Sequence, residues 1–433
     1  MTVIRPKDRD IIIQSLRSGV VPSRGLQHIQ VGRNRETEEF LRDLDRIADG
    51  GSTFRLITGE YGAGKTFFLS LVRAVALEKK LVTVHADLNP DRRLQSTNGQ
   101  ARSLYSELMR NLSTRMKPDG GALAGVLEKF ISTTINDAKH EGIGEGRALL
   151  QKLEHLTEMV NGYDFATVVS TYWQGFENGN EQLKTDALRW LRGEFATKTE
   201  AKLALGVRSI ISDASFYDQL KLMGRFMRLA GYSGLLVCLD ELVNLYKITN
   251  PHSRNANYEQ ILRILNDSLQ GTTEGLGFIL GGTPEFVTDT RRGLYSYEAL
   301  KSRLAENKFA KNHNLVDFSG AVIPLSRFSH DEFLVLLHNL VNVHASGVEA
   351  NYLVPEEALQ AFMRHCHKQI GDESFRSPRN TIKEFLDLLA TLEQNPQASW
   401  EELLGHVKVH KDRGESLLGA PDDEDDELVS FTL

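Results

Sequence analysis

The chain has little cysteine, no excess of positive charge and no long apolar run. Its 433 residues include two cysteines, Cys238 and Cys366, far apart in sequence. So few, so separated, exclude a disulfide-stapled scaffold and fit a reducing compartment. Cys238 stands inside an apolar run, which predicts a small buried residue. The net charge is −7, so no global basic field advertises nucleic-acid binding. Part of that acidity is local, because residues 422–427 read Asp-Asp-Glu-Asp-Asp-Glu. Such a block reads as a solvated, disordered tail. Without it the body is near neutral, which leaves room for a local DNA-binding face. No apolar run approaches the roughly 18 residues that span a bilayer, and the polar start from Met1 to Asp10 has no signal-peptide pattern. The expectation is a soluble cytoplasmic protein without membrane contact.

What is present begins with Phe54-Arg-Leu-Ile-Thr-Gly-Glu-Tyr-Gly-Ala-Gly-Lys-Thr-Phe-Phe-Leu69. An apolar run, a glycine-rich turn and an apolar helix start follow one another. Gly59, Gly64, Lys65 and Thr66 fit G-x-x-x-x-G-K-[ST], the Walker A phosphate loop. Glycines let consecutive N–H groups point inward at phosphate, and the following helix offers its positive end to the anion. Lys65 adds a point charge at the β/γ-phosphates, and Thr66 puts a hydroxyl on Mg²⁺.

Before the loop, residues 8–18 look helical, and a second helix carries Phe40, Leu41, Leu44 and Ile47. After it, residues 81–87 read as a strand. From Ala101 the apolar positions 101, 104, 105, 108 and 112 make a one-sided helix pattern, and further helices follow at about 122–139, 145–160, 164–176, 181–192 and 199–205, separated by glycine-containing turns. The next strand starts at Leu235, far beyond the roughly 30 residues of a plain βαβ unit, so the intervening segment is a helical insertion. The strand from Leu235 ends in Asp240-Glu241, the Walker B pattern. Asp240 is placed to hold the Mg²⁺ shell, and Glu241 to orient and activate a water. A further helix carries Tyr258, Ile261, Leu262, Leu265 and Leu269. Strands at 277–283 and 321–325 follow, and the chain is helical from Ser329 on. Strands alternating with helices predict an α/β fold with a parallel three-layer sheet.

Several candidates keep two readings. Thr283 suits a sensor of the γ-phosphate or a strand-end cap before Pro284. Arg303 suits an arginine finger reaching a neighbouring subunit, or a surface arginine; Arg291 and Arg292 compete for the role or contact DNA phosphates. Arg379 suits a lid residue folding onto the γ-phosphate, or a solvent-facing arginine. His365-Cys-His367 lacks a second ligand pair at zinc spacing. Tyr172, Trp173 and Trp190 read as core, and Arg92-Arg93 as a solvated loop.

Val31-Gly-Arg33 with Glu36, both Walker motifs, Gly-Gly-Thr283 and Ser-Pro-Arg379 resemble the AAA+ branch near the origin-recognition and STAND ATPases. Further stretches resemble the BrxC/BrxD ATP-binding family of bacterial phage-exclusion (BREX) systems, nearest its BrxD branch. They are Leu16-Arg-Ser-Gly-Val-Val-Pro22, Tyr105-Ser-Glu-Leu-Met-Arg-Asn-Leu112, Asp240-Glu-Leu-Val-Asn-Leu-Tyr246, Asn257-Tyr-Glu-Gln-Ile-Leu262 and the run from Arg291 to Leu304. The resemblance implies an ATPase with ATP and Mg²⁺, working in antiphage defence beside a helicase-like partner on DNA. It implies that Val31, Gly32 and Arg33 border the adenine. The loop residues Gly59, Glu60, Tyr61, Gly62, Ala63, Gly64, Lys65, Thr66 and Phe67 would hold phosphate. Asp240 and Glu241 would complete the site, with Thr283 as sensor 1, Arg379 as sensor 2 and Arg303 as finger in a nucleotide-dependent homo-oligomer. The expected organisation is an N-terminal helical segment over 1–48 and an ATPase core over 49–328 with its insertion at about 100–230. A helical lid over 329–412 and an acidic tail over 413–433 complete it. The competing reading is a nucleotide-gated switch or assembly scaffold with negligible turnover.

Overall fold

A computed structural model describes residues 3–313, 317–325, 327–370 and 378–406. The acidic block and Ser377 lie outside the described residues. The strands are β1 (Thr53–Thr58), β2 (Val82–Asp87), β3 (Leu235–Asp240), β4 (Leu276–Gly282) and β5 (Val322–Pro324). They form one parallel sheet in the order β2-β3-β4-β1-β5. β1, β3 and β4 are buried along their whole lengths, which is why β3 reads as a nearly continuous apolar run.

Alternation along the strands feeds two cores. Leu56, Val84, Val237 and Phe278 face a large core shared with the insertion. Ile57, Leu236, Cys238 and Ile279 face the other side. There they meet helices α2 (Asn34–Ala48) and α3 (Lys65–Glu78). The result is the expected three-layer α/β arrangement. The insertion runs between β2 and β3 as α4 (Gln100–Arg110), α5 (Leu123–Glu141), α6 (Glu145–Thr157), α7 (Gly162–Glu177), α8 (Glu181–Leu191), α9 (Lys198–Leu205) and α10 (Phe216–Leu229). Its core holds Tyr172 and Trp190, both 1% exposed, with Trp173 packed at the edge. One expectation fails next to β2: Arg93 is buried, not solvated, because the loop after β2 is pinned where Leu94 and Gln95 donate to Asn257 Oδ1.

After β3 come α11 (Val243–Lys247), α12 (Pro251–Leu269), α13 (Pro284–Thr288), α14 (Glu298–Leu304) and α15 (Lys308–Asn312). On α12, Tyr258, Ile261 and Leu265 are buried as expected, while Leu269 is exposed at the helix end. The helical part beyond β5 comprises α16 (His330–His344), α17 (Glu356–Ile370), α18 (Pro378–Gln394) and α19 (Trp400–His406). A capping box of Ser329 and Glu332 starts α16, satisfying two helix-end donors reciprocally. The first helix, α1 (Pro6–Arg17), packs on α16 and α18. Ile4, Ile12 and Ile29 share their core with Phe333, Leu337 and Phe385. Arg17 pairs with Asp387 at 2.7 Å, Arg9 with Glu393 at 2.8 Å, and Arg9 Nε donates to His344 O.

Candidate nucleotide site

The loop from Gly59 to Gly64 joins β1 to α3 at the carboxyl edge of the sheet. Gly64 has φ +82°, and a side chain there would lie 3.3 Å from Arg33 Nη1, so this position demands glycine. No side chain caps the start of α3, which leaves its first N–H groups to an anion. Lys65 Nζ folds back and donates to Gly59 O (2.8 Å) and Glu60 O (3.0 Å). Burial lowers its pKa, and the Asp240 and Glu241 carboxylates oppose that shift. A cation held in such surroundings gains from an anionic ligand.

Parallel pairing of β3 with β4 brings Asp240 to the same edge. Thr66 Oγ1 donates to Asp240 Oδ2 at 2.7 Å. The Glu241 N–H donates to Asp240 Oδ1 at 2.8 Å. Glu241 itself adopts φ +57°, an uncommon conformation for a non-glycine residue. It turns the chain sharply out of the strand, so two consecutive acids serve different spaces. Burial raises the Glu241 pKa, and the neighbouring Asp240 adds to the rise. Among the described residues no cluster of three His, Cys, Asp or Glu side chains forms an all-protein metal cage. One hydroxyl and one carboxylate suit Mg²⁺, which keeps waters and takes phosphate oxygens.

Two cavities meet at the loop, and both are lined by Tyr61, Lys65 and Glu241. The first, about 1090 Å³ with its open mouth, also touches Val31, Gly32, Arg33, Thr66 and Phe67. Its far wall comes from Phe328, Pro378, Arg379 and Ile382 of the helical part, and from Leu16 and Val20 near the N-terminus. Its mixture of apolar walls with a few polar groups suits a base and ribose. The second, about 980 Å³, adds Glu60, Lys247, Thr283 and Glu285.

Arg33 joins three parts of the site. Its backbone is left-handed at φ +57°, and Nη2 donates to Ala63 O in the phosphate loop. Its guanidinium sits 4.9 Å from the Phe328 ring centre. Burial lowers its pKa to about 10, against the pull of Glu36 and Glu332. Arg379 lies over the Tyr61 ring at 4.9 Å and donates to its hydroxyl at 2.9 Å. The start of α18 is thereby joined to the phosphate loop, and Arg379 is held by Tyr61, not directed into solvent.

Other candidates fall elsewhere. Thr283 Oγ1 accepts from Phe286 N at 3.3 Å and caps α13, though the residue still lines the second cavity. Arg303 lines neither cavity. It is exposed on α14, donating to Asn266 Oδ1 (2.7 Å) and Ala299 O (2.8 Å). Arg291 is exposed, with its N–H on Asp289 Oδ1. Arg292 Nη2 is directed at the carbonyls of Tyr246 (3.1 Å), Lys247 (3.5 Å) and Ile248 (3.2 Å). It clamps the chain within its own molecule, which removes it as a finger. Sequence reasoning missed Phe328 and Lys247, because neither sits in a motif or a periodic pattern. No helix among the described residues is long and apolar enough to cross a membrane.

No curated protein sequence matches the chain. Residues 4–408 match the family described as BREX system ATP-binding protein BrxC/D. That span takes in the phosphate loop, the insertion, the Asp240-Glu241 strand end and the helical part, and the chain belongs to this BrxC/D family.

Proposed function

We propose that this protein is an AAA+-type ATPase of the BrxD branch, which binds and hydrolyses ATP with Mg²⁺ and couples turnover to a helicase-like, DNA-acting BREX component. One observation carries the reading. Lys65, the Thr66–Asp240 hydrogen bond, Glu241 and the α18 residue Arg379 converge on one pair of joined cavities. Residues 59–67 would hold the phosphates, and Val31 with Gly32 and Arg33 would border the base. Thr66 and Asp240 would hold Mg²⁺, which when bound neutralises charge on the phosphate oxygens. Glu241 accepts the proton of the attacking water, a task its burial favours by raising its basicity. The start of α3 holds developing negative charge on backbone N–H groups. Arg379 closes the cleft from α18 in the role of sensor 2.

Arg303 is exposed and outside both cavities, so a finger role for it requires a neighbouring copy. The reading therefore includes ATP-dependent homo-oligomers and a DNA-bound assembly, both inferred from the family. The test is nucleotide titration and phosphate release. Lys65→Ala should abolish ATP binding, while Glu241→Gln should retain it and lose turnover. Full turnover by Glu241→Gln would remove Glu241 from the catalytic role. A nucleotide-gated switch is the competing reading, favoured by the engagement of the Thr283 hydroxyl as a helix cap. ATP binding without phosphate release, with or without double-stranded DNA, would select it.

A further inference from the structure

The second cavity has an unbalanced wall. Its charged lining is Lys65 and Lys247 against Glu60, Glu241 and Glu285. It adjoins the loop on the side of Glu241 and Thr283, where the terminal phosphate and the attacking water would lie if ATP occupies the site. Glu60 faces Arg327 at 3.6 Å, and Lys65 holds the loop carbonyls. Lys247 is the second cation on this wall.

The chain around Lys247 is fixed from several directions. Leu242 N donates to Gly281 O at 3.1 Å, tying the segment to β4. Asn244 Nδ2 donates to Leu88 O at 2.7 Å. Leu245 and Tyr246 are buried, and the Tyr246 hydroxyl donates to Asp289 at 2.6 Å. At the far end the carbonyls of residues 246–248 face Arg292, and Arg254 Nη1 donates to Ile248 O at 2.8 Å. A five-residue helix needs no such anchoring to cover a surface. The clamps fix the backbone of Lys247, which lines the cavity and whose charge acts on Glu241, so that charge is held in place at low entropic cost.

We infer that Lys247 is a catalytic residue that contacts the terminal phosphate of ATP from within the same chain, supplying the second positive charge usually sought from a neighbouring subunit. The inference rests on the ATP reading above and deepens it. Arg292 is then a positioning residue, holding the carbonyls beneath Lys247. A charge that meets only the terminal phosphate distinguishes ATP from ADP. It also works without a partner copy.

The test uses the full chain with Mg²⁺, and isothermal titration of ATPγS and of ADP. Lys247→Ala should weaken ATPγS by about tenfold, as for one lost charge-assisted contact, and leave ADP within about twofold. Lys247→Arg should retain most of the ATPγS affinity. Turnover should fall about a hundredfold in Lys247→Ala. Lys247→Met, which keeps most of the apolar stem, should repeat the alanine result and so separate charge from folding. Wild-type binding with unchanged ATPγS-to-ADP preference in Lys247→Ala and Lys247→Met would overturn the inference alone. A wild-type chain that binds neither nucleotide would overturn the ATP reading and this inference with it.

Discussion

At position 281 the space for a side chain is already occupied. A Cβ there would lie 2.3 Å from Asp240 Oδ1 and 3.1 Å from Leu69 Cδ1. The carboxylate that accepts from Thr66 and from the Glu241 N–H is therefore seated in a notch cut by a glycine on the neighbouring strand. Gly281→Ala should displace Asp240 and weaken Mg²⁺-dependent ATP binding by about tenfold, as loss of an outer-shell support does. Titration with and without Mg²⁺ checks it; equal effects in both would place the damage in the loop instead. At this scale the motif residues were legible because each has a chemistry that few residue types provide. The glycine notch was not, since β4 meets β3 only in the folded sheet. Nor was the fate of the arginines. Arg291, Arg292 and Arg303 are equivalent candidates as letters, but in the fold Arg292 is committed to three carbonyls and Arg303 to a surface asparagine.

At the scale of elements, β2 carries a consequence for pH. His85 faces α3, with Arg73 from that helix, Cys238 from β3 and Asp87 from its own strand nearby. Its Nδ1 is buried without a hydrogen-bond partner. Burial, and secondarily the Arg73 charge, lower its pKa from 6.5 to about 3. The neutral form is thus the folded one. Above 6.5 neither state is protonated there and stability is unaffected. As pH falls below 6.5 the unfolded chain takes up the proton first, and stability is lost progressively down to about 3. Between pH 6.5 and 4, the denaturation midpoint of the wild-type chain should fall more steeply than that of His85→Gln. Parallel slopes would show that His85 does not contribute. The strand itself was legible from its β-branched composition, and so were the insertion helices from their periodicity. α10 and α11 escaped notice. α10 does carry a one-sided pattern, with Asp218, Lys221, Arg225 and Arg228 along its polar face, so its residues do not account for the omission, and α11 is held mainly by distant partners.

Across the whole molecule, two long-range arrangements set the cleft. One is the network under β1. Arg55 lies between Asp43 (2.6 and 3.0 Å) and Glu39 (2.9 Å) of α2, and also donates to Phe318 O and Gly320 O before β5. Thr53 Oγ1 adds a bond to Asp43. Arg55 and Asp43 are almost fully buried. Asp43→Ala leaves Arg55 with Glu39 and two carbonyls but removes its most buried counter-charge, and should destabilise the fold by about 2–3 kcal/mol, measured by denaturant unfolding. A loss below about 1 kcal/mol would mean that water replaces the carboxylate. The other arrangement is the union of α1 with α16 and α18. It brings residues near Val20 and Arg379 together on one wall of the cleft, and links α18 to the phosphate loop through Tyr61.

Sequence alone determined the phosphate loop, the acidic strand end, the parallel α/β class and the inserted helices. Each is specified by residues close together in the chain: glycines that permit the turn, apolar runs that set strands, and a periodicity that sets helices. Tertiary structure alone decided the strand order, the notch beside Asp240, the docking of α1 on the C-terminal helices and the placement of Lys247 on the cavity wall. Those depend on contacts between residues up to hundreds of positions apart. Their formation is governed by packing and burial across the sheet, which no local pattern encodes.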